Sequence, residues 1–292
     1  MENNTNKKSK NFILVLIFVI LSLATVSKVY NKYLDKSKKA FSSQTIDKEF
    51  EFKLSEINND LEIKSLNGKV KLEGYEGEDI LLKASYISKE KGYEVDFYRD
   101  NSNNFILDYD TNKFKSVSVD VLVPEGFFKN VEISSFNSSS NIDNLSANKL
   151  ILTNMNGDIR ITNLNAKQLV TENMNGEITL DNFDVKNVKI NNLNSSVSIS
   201  TMGMLKSFDS YKWQVDNQNG EINVEIVEPN NINYNLYAET TNGEVTINKD
   251  NSNLTYSENT GKKVSAKTYN PRKSDKSLNL SLKTTNSTIV LN

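Results

Sequence analysis

The sequence predicts an all-β fold: a β-solenoid-like stack of about 19-residue coils with antiparallel hairpin excursions, set after an N-terminal membrane helix. Three observations predict it. Phe136, Met155, Met174 and Leu193 follow one another at a constant step of 19 residues. The runs between them, such as "DIRIT" and "VSIS", alternate in polarity with the period of a strand. The chain also opens on a polar segment holding Lys7, Lys8 and Lys10, followed by an uncharged apolar run from Phe12 to Val26.

That run is short for a bilayer, whose apolar core asks for about 20 residues. Val29 and Tyr30 extend it, with Lys28 reaching back to the interface. Residues 1–11 then read as a cytoplasmic N-terminus, 12–30 as a transmembrane signal anchor and 31–45 as a polar stalk. Residues 46–292 form an extracellular β-repeat domain of a single-pass cell-membrane protein. A signal peptide cut after Ala24 is the alternative, because Ser22 and Ala24 are small residues that the peptidase accepts. Lysines flank the run on both sides, so charge bias does not set its orientation.

The 19-residue register holds in further columns: Val131, Leu150, Leu169, Val188; Ile142, Ile161, Leu180, Ile199; Leu145, Leu164, Phe183, Met202; and the polar Asn137, Asn156, Asn175, Asn194. Strand repeats of this length stack as coils, because one coil cannot bury its apolar face alone. Coils about 4.8 Å apart bury like on like. Each buried Ile or Leu then contributes roughly 1.5–3 kcal/mol. The Met and Ile columns are expected to fill the core, and the Asn column to form a side-chain amide ladder.

The Asn-Gly step separates this fold from a meander or sandwich with hairpins at the same places. Its second position is Gly at 68, 157, 176, 220 and 243, but Ser at 138, 195 and 287. A two-residue type I′ turn needs positive φ at both central residues, which Ser tolerates poorly. The step is therefore expected to be a coil corner, with Asn in the left-handed conformation. Further copies begin at Leu61, Trp213, Leu236 and Leu280. Two excursions, about Ser85 to Pro124 and Lys249 to Ser277, read as antiparallel hairpins folded on the side or end.

The chain has no Cys and no His. Disulfides, Cys/His zinc sites and Ser-His-Asp or Cys-His catalysis are excluded. A net charge of −2 gives no general field for nucleic acid. Acids recur after Asn-Gly at Asp158, Glu177, Glu221 and Glu244. Stacked carboxylates can clamp Ca²⁺. Ser139, Ser196, Lys69 and Thr288 interrupt the column, which makes it a solvated surface. No catalytic residue, metal or cofactor is assigned. Trp213 falls in the column of Leu169 and Val188 and is expected in the core.

Two candidate contacts remain. About six residues are inserted near Leu205 to Ser210, placing Leu205 and Phe208 outside the register as a partner-binding loop or a cap. Deleting Leu205 to Ser210 restores the step and is expected to leave folding intact. The second candidate is a basic hairpin carrying Lys262, Lys263, Lys267, Arg272 and Lys273, for anionic wall polymer or lipid head groups.

The anchor, the segment "LEIKSLNGKVKLEGYEGEDILLKASY", the strand "VDVLVPEG" and the Asn-Gly-acid-Ile repeats together resemble a bacterial family. It is the putative-adhesin, LiaG-like β-strand-repeat family, a domain of unknown function. The resemblance covers about Ile46 to Asn292, on degenerate motifs. It implies a membrane-attached, envelope-facing β protein of the kind often linked to envelope-stress loci, and it brings no catalytic residue. The expected function is a non-enzymatic surface module for binding or sensing. Its expected partners are the membrane, through the helix, and a cell-wall polymer or envelope protein, with no nucleic acid. The alternatives are a scaffold polymerising end to end through an open edge, and a polysaccharide-active β-helix enzyme. Such an enzyme needs carboxylates or basic groups clustered on one groove. The chain has three Arg and dispersed acids.

Overall fold

The computed structural model describes residues 45–292 except 54–58, 66, 100–104, 109, 111, 202–204, 227–231, 249–253 and 269–275. The expected tail, anchor and stalk thus lie outside the described residues, all but position 45. Among the described residues no helix is long and apolar enough to cross a membrane.

Every regular element described is a strand. The chain begins with β1 (Thr45–Lys53), β2 (Asp60–Ser65), β3 (Lys69–Tyr75), β4 (Asp79–Ser88), β5 (Asp96–Arg99), β6 (Phe105–Asp108) and β7 (Phe114–Pro124). The regular coils follow: β8 (Asn130–Ser135) and β9 (Ser139–Asp143), β10 (Ser146–Asn156) and β11 (Ile159–Thr162), β12 (Asn165–Asn175) and β13 (Ile178–Asp181), β14 (Asp184–Asn194) and β15 (Val197–Ser200). Then come β16 (Ser210–Asn219), β17 (Ile222–Glu225), β18 (Ile232–Thr240), β19 (Val245–Ile247), β20 (Leu254–Asn259), β21 (Lys263–Thr268), β22 (Lys276–Thr284) and β23 (Ile289–Leu291).

One coil is a strand in one sheet, a corner, a shorter strand in the other sheet and a return corner. Coil on coil this makes two sheets, of 11 and 12 strands, whose middles are parallel and follow chain order. Leu150 pairs with Leu169, Leu169 with Val188 and Val188 with Trp213. Opposite them, Ile161 pairs with Leu180, Leu180 with Ile199 and Ile199 with Val224. These side chains are buried and meet between the sheets. The stacked-coil reading of the 19-residue step thus holds, and the meander reading does not. In the third column Leu145, Leu164 and Phe183 are buried, and Met202 lies outside the described residues.

The Met column is a correction. Phe136, Met155, Met174 and Leu193 are only half-buried and stand on the outer face. The inward place beside them is taken by Asn154, Asn173 and Asn192, all buried. Strand alternation forces this: Met155 lies an odd number of residues beyond the inward Leu150. The inward Asn side chains brace the corner. Their Nδ2 groups donate to the carbonyls of Gly157, Gly176 and Ser195 at 2.5, 2.6 and 2.8 Å.

The corner conformation is a second correction. In the central coils Gly157 and Gly176 hold positive φ, both 146°, while the Asn before each is not left-handed. A Cβ at Gly176 would sit 2.2 Å from the Gly157 carbonyl oxygen, so the coil above leaves no room for one. Left-handed Asn occupies the return corner instead, at Asn144, Asn163 and Asn182, with φ of 51–53°. At the first corner only Asn67 adopts it among the described residues.

The Asn column does form a ladder. Asn137 donates to Asn67, Asn156 to Asn137, Asn175 to Asn156, Asn194 to Asn175 and Asn219 to Asn194, at 2.7–2.9 Å. Asn286 continues it onto Asn219, and Asn242 onto Asn286.

At its ends the stack leaves chain order. The C-terminal coil, β22 with β23, inserts between β16/β17 and β18/β19. At the other end β2 and β3 lie between the β6/β7 coil and the β8/β9 coil. The second excursion is antiparallel as expected, β20 on β21. The first is so only in part: β4 on β7 and β5 on β6 are antiparallel, with β1 added along β4, but β6 and β7 also pair in parallel with β2 and β3 and so form a coil of the stack, a correction to the reading of this stretch as side hairpins.

Candidate binding face

Asp184 begins β14 at a coil corner and is 3% exposed. A buried carboxylate needs donors to offset its lost hydration. Asp184 has three. The backbone N–H groups of Lys206 and Ser207 donate to its Oδ2 at 3.1 and 2.8 Å. Tyr211 Oη donates to its Oδ1 at 2.8 Å. Burial, with Asp184 beside it, pushes the Tyr211 hydroxyl well above the usual tyrosine range. The phenol therefore stays neutral and donating at physiological pH.

This carboxylate ties the inserted loop to the stack. Leu205 is 1% exposed and belongs to the core. It offers no surface to a partner, and the expectation that the insertion lies outside the stack is corrected. Phe208 is partly buried and packs edge-on against Tyr211, at 5.7 Å between ring centroids. Tyr211 meets Trp213 edge-on at 6.3 Å, and Trp213 meets Phe183 at 5.0 Å. Trp213 is fully buried as expected, and its indole N–H donates to the Val185 carbonyl at 2.9 Å. A row of rings thus runs from the core out to Phe208.

Phe208 borders a groove of about 330 Å³. Its other walls are Gly126, Phe128 and Lys129 before β8, Ser146 and Ala147 of β10, and Asn165, Ala166 and Lys167 of β12. Of these residues sequence reasoning singled out Phe208 alone. The missed signal is the short side chain at 147 and 166: Ala147 and Ala166 pair directly, and together they leave the hollow.

The basic hairpin stands elsewhere, with β21 packed antiparallel on β18. Lys262 Nζ donates to the Thr241 carbonyl at 3.1 Å, and Lys263 pairs with Glu258 at 2.8 Å. Lys267 is exposed. Arg272 and Lys273 lie outside the described residues. Lys262 and Lys263 are thus not brought to the inserted loop, whereas Lys276, at the end of the basic segment, donates to the Leu205 and Lys206 carbonyls. The acids after Asn-Gly, Asp158, Glu177, Glu221 and Glu244, are all exposed, one to a coil. The Asp158 carboxylate accepts the Glu177 backbone N–H at 2.9 Å.

Stacked coils, braced corners and an amide ladder define a solenoid-like β-repeat domain. The chain belongs to the Toastrack DUF4097 family, whose model matches residues 55–289. No curated protein matches it. Among solved structures it is similar to a putative adhesin from Bacteroides fragilis, at 11% identity and a TM-score of 0.46, over 86% of this chain and 98% of that one. It is also similar to a putative cell adhesion protein from Clostridium sporogenes, at 12% identity and a TM-score of 0.41, over 85% of this chain and 99% of that one. A putative lipid binding protein from Parabacteroides distasonis aligns at 8% identity and a TM-score of 0.35, over 85% of this chain and 96% of that one.

Proposed function

We propose that the protein is a non-enzymatic binding module of the cell envelope, held at the membrane by residues 12–30 and presenting its β stack outside. The observation that carries this reading is the stack itself. Its core is continuous from coil to coil, its corners are braced by buried Asn, and the family model runs across nearly all of it. Such a rod holds a surface at a fixed distance and orientation. Phe208, at the outer end of the row of rings, and the hairpin lysines Lys262, Lys263 and Lys267 are the contacts it would offer. Arg272 and Lys273 extend the hairpin's charge in the sequence.

The polymerising alternative is less well supported. Open parallel edges would favour it. Here the outermost strands are the antiparallel β1 and β5 at one end, and β20 and the three-residue β19 at the other. The glycosidase alternative asks for carboxylates facing one another across a groove. The repeated acids instead follow one corner, a coil apart.

The test is sedimentation of full-length protein in liposomes with purified wall fragments. The expected result is co-sedimentation, with the domain after Tyr30 digested by protease added to intact wall-stripped cells. No binding to any wall component, or full protection from protease, overturns the proposal.

A further inference from the structure

Five successive coils each bring one lysine to the same edge of the larger sheet. These are Lys129 just before β8, Lys149 on β10, Lys167 on β12, Lys186 on β14 and Lys212 on β16. The register fixes their alignment. Asn130, Lys149, Gln168, Asn187 and Lys212 form one row of cross-strand partners, and Lys129, Lys167 and Lys186 each come one residue earlier. Four of the five are exposed and Lys149 is half-buried. None lies in an ion pair among the described residues. At about 4.8 Å per coil the row spans about 19 Å along the stacking axis.

Exposed Glu132, two residues beyond Asn130, is the nearest carboxylate on the strands of the row, and among the described residues it is in no ion pair with these lysines. Asp184 is buried and already accepts three donors. Asp60, one coil beyond the row, accepts from Asn130 at 2.6 Å. Asp209 is exposed beside the loop, which adds Lys206 to the positive side. Like charges set at coil spacing repel, and a line of fixed counter-charges relieves this. The groove between Phe128 and Phe208 opens between Lys129 and Lys167 and adds an apolar floor.

We infer that this edge binds a linear polyanion laid along the stacking axis: a polymer of phosphodiesters joined by short polyol units. The lysines meet the phosphates, and carbon atoms of one unit rest in the groove on Phe208. A polymer suits the site because the charge repeats over five coils while the groove holds only one small segment. Nucleic acid fits less well. Of the rings at this edge, Phe128, Tyr211 and Trp213 are buried in the core, which leaves the partly buried Phe208 in the groove where a strand of bases asks for a platform at successive bases. This inference rests on the envelope-binding reading and names its ligand.

The test uses full-length protein in phosphatidylcholine liposomes titrated with fluorescent poly(glycerol phosphate) at low and high salt. Replacing Lys129, Lys167 and Lys186 by Gln is expected to weaken binding at least tenfold and to flatten its salt dependence. Phe208→Ala is expected to weaken it several-fold with the salt dependence unchanged. Replacing Lys262 and Lys263 by Gln, at the far end of β21 from the row, is expected to change it less than twofold. The melting temperature of each variant shows that folding is intact, since all five lysines lie outside the core. The inference is overturned if the hairpin variant loses binding and the row variant keeps it. It is also overturned if duplex DNA of equal charge binds as tightly, or if phosphatidylglycerol vesicles are captured and the polymer is not. Wall-fragment binding without polymer binding sinks this inference and leaves the envelope reading standing; binding to neither sinks both.

Discussion

From β8 to β16 each coil lies beside its neighbour in sequence, so chain order and spatial order agree. At the two ends they part. The first coil, β2/β3, sits inside the β6/β7 coil, and the last coil, β22/β23, sits inside β18/β19. The same apolar columns serve in both regions, since Leu280 and Leu236 continue the row of Val188 and Trp213. The difference teaches where a repeat needs help. A coil in the middle has a partner on each side. A coil at the end of the stack buries one face only; β2/β3 and β22/β23 avoid this by lying inside, and leave the outer places to the antiparallel β1, β4 and β5 at one end and to β18–β21 at the other.

The largest effect expected from this comparison is at the C-terminus. Removing residues 276–292 strips out Leu278, Leu280, Leu282, Ile289 and Leu291, all buried. At roughly 1.5–3 kcal/mol each the loss is about 7–15 kcal/mol, on the scale of a whole domain's stability. Hydrogen exchange should then show β18 and β19 unprotected while β10 to β14 keep their protection. Retained protection of β18 would break the interleaved order.

Next comes the middle. Ile161→Asp places a charge at a fully buried position, and the expected loss is about 3–5 kcal/mol. Asp158→Ala changes an exposed corner residue, with an effect within about 0.5 kcal/mol. Equal melting losses for the two would overturn the register.

Asp184→Asn probes the joint between regular coils and the irregular C-terminal part. It removes a charged acceptor of three hydrogen bonds, with an expected loss of about 1.5–3 kcal/mol. Loosening of the loop, read as faster exchange at Lys206 and Ser207, should accompany it. Unchanged stability would mean that the loop is not anchored there.

The last effect lies on the C-terminal side and shows only at high pH. Burial, and then its hydrogen bond to Glu239, pushes the Tyr237 hydroxyl up to about 12 from the ordinary 10.0. The folded state thus favours the neutral phenol. The contribution is fully present below pH about 10 and is lost as pH rises toward about 12. Wild-type protein should lose stability more steeply across that window than Tyr237→Phe, measured by denaturant melts. Parallel curves would remove Tyr237 as a contributor.

Much of this fold was legible because a constant step stacks like on like. The inward rows Leu150–Leu169–Val188 and Ile161–Leu180–Ile199, the core place of Trp213 and the Asn ladder all follow from it. The face of the Met column was also legible by parity from Leu150, but apolarity pointed the other way. The inverted ends were not legible. Leu236 and Leu280 occupy the same column position, so composition does not rank them as neighbours of Trp213. The anchoring of the loop was hidden for a different reason. Asp184 and Lys206 are 22 residues apart, and no local pattern marks an Asp as the acceptor for distant backbone N–H groups. Of the candidate site, Phe208 alone was visible, as a break in register. The groove beside it arises from side chains on three different coils.

Every rung of the long Asn ladder points the same way, each amide donating toward the Asn67 end. The shorter ladder at the return corner, Asn182 to Asn163 to Asn144, points that way too. Reversing one amide sets donor against donor on one side and acceptor against acceptor on the other, so a row flips as a whole or not at all. Aligned amide dipoles polarise one another and add along the row. Each ladder is therefore a vector, its amide dipoles running in one sense along the stacking axis.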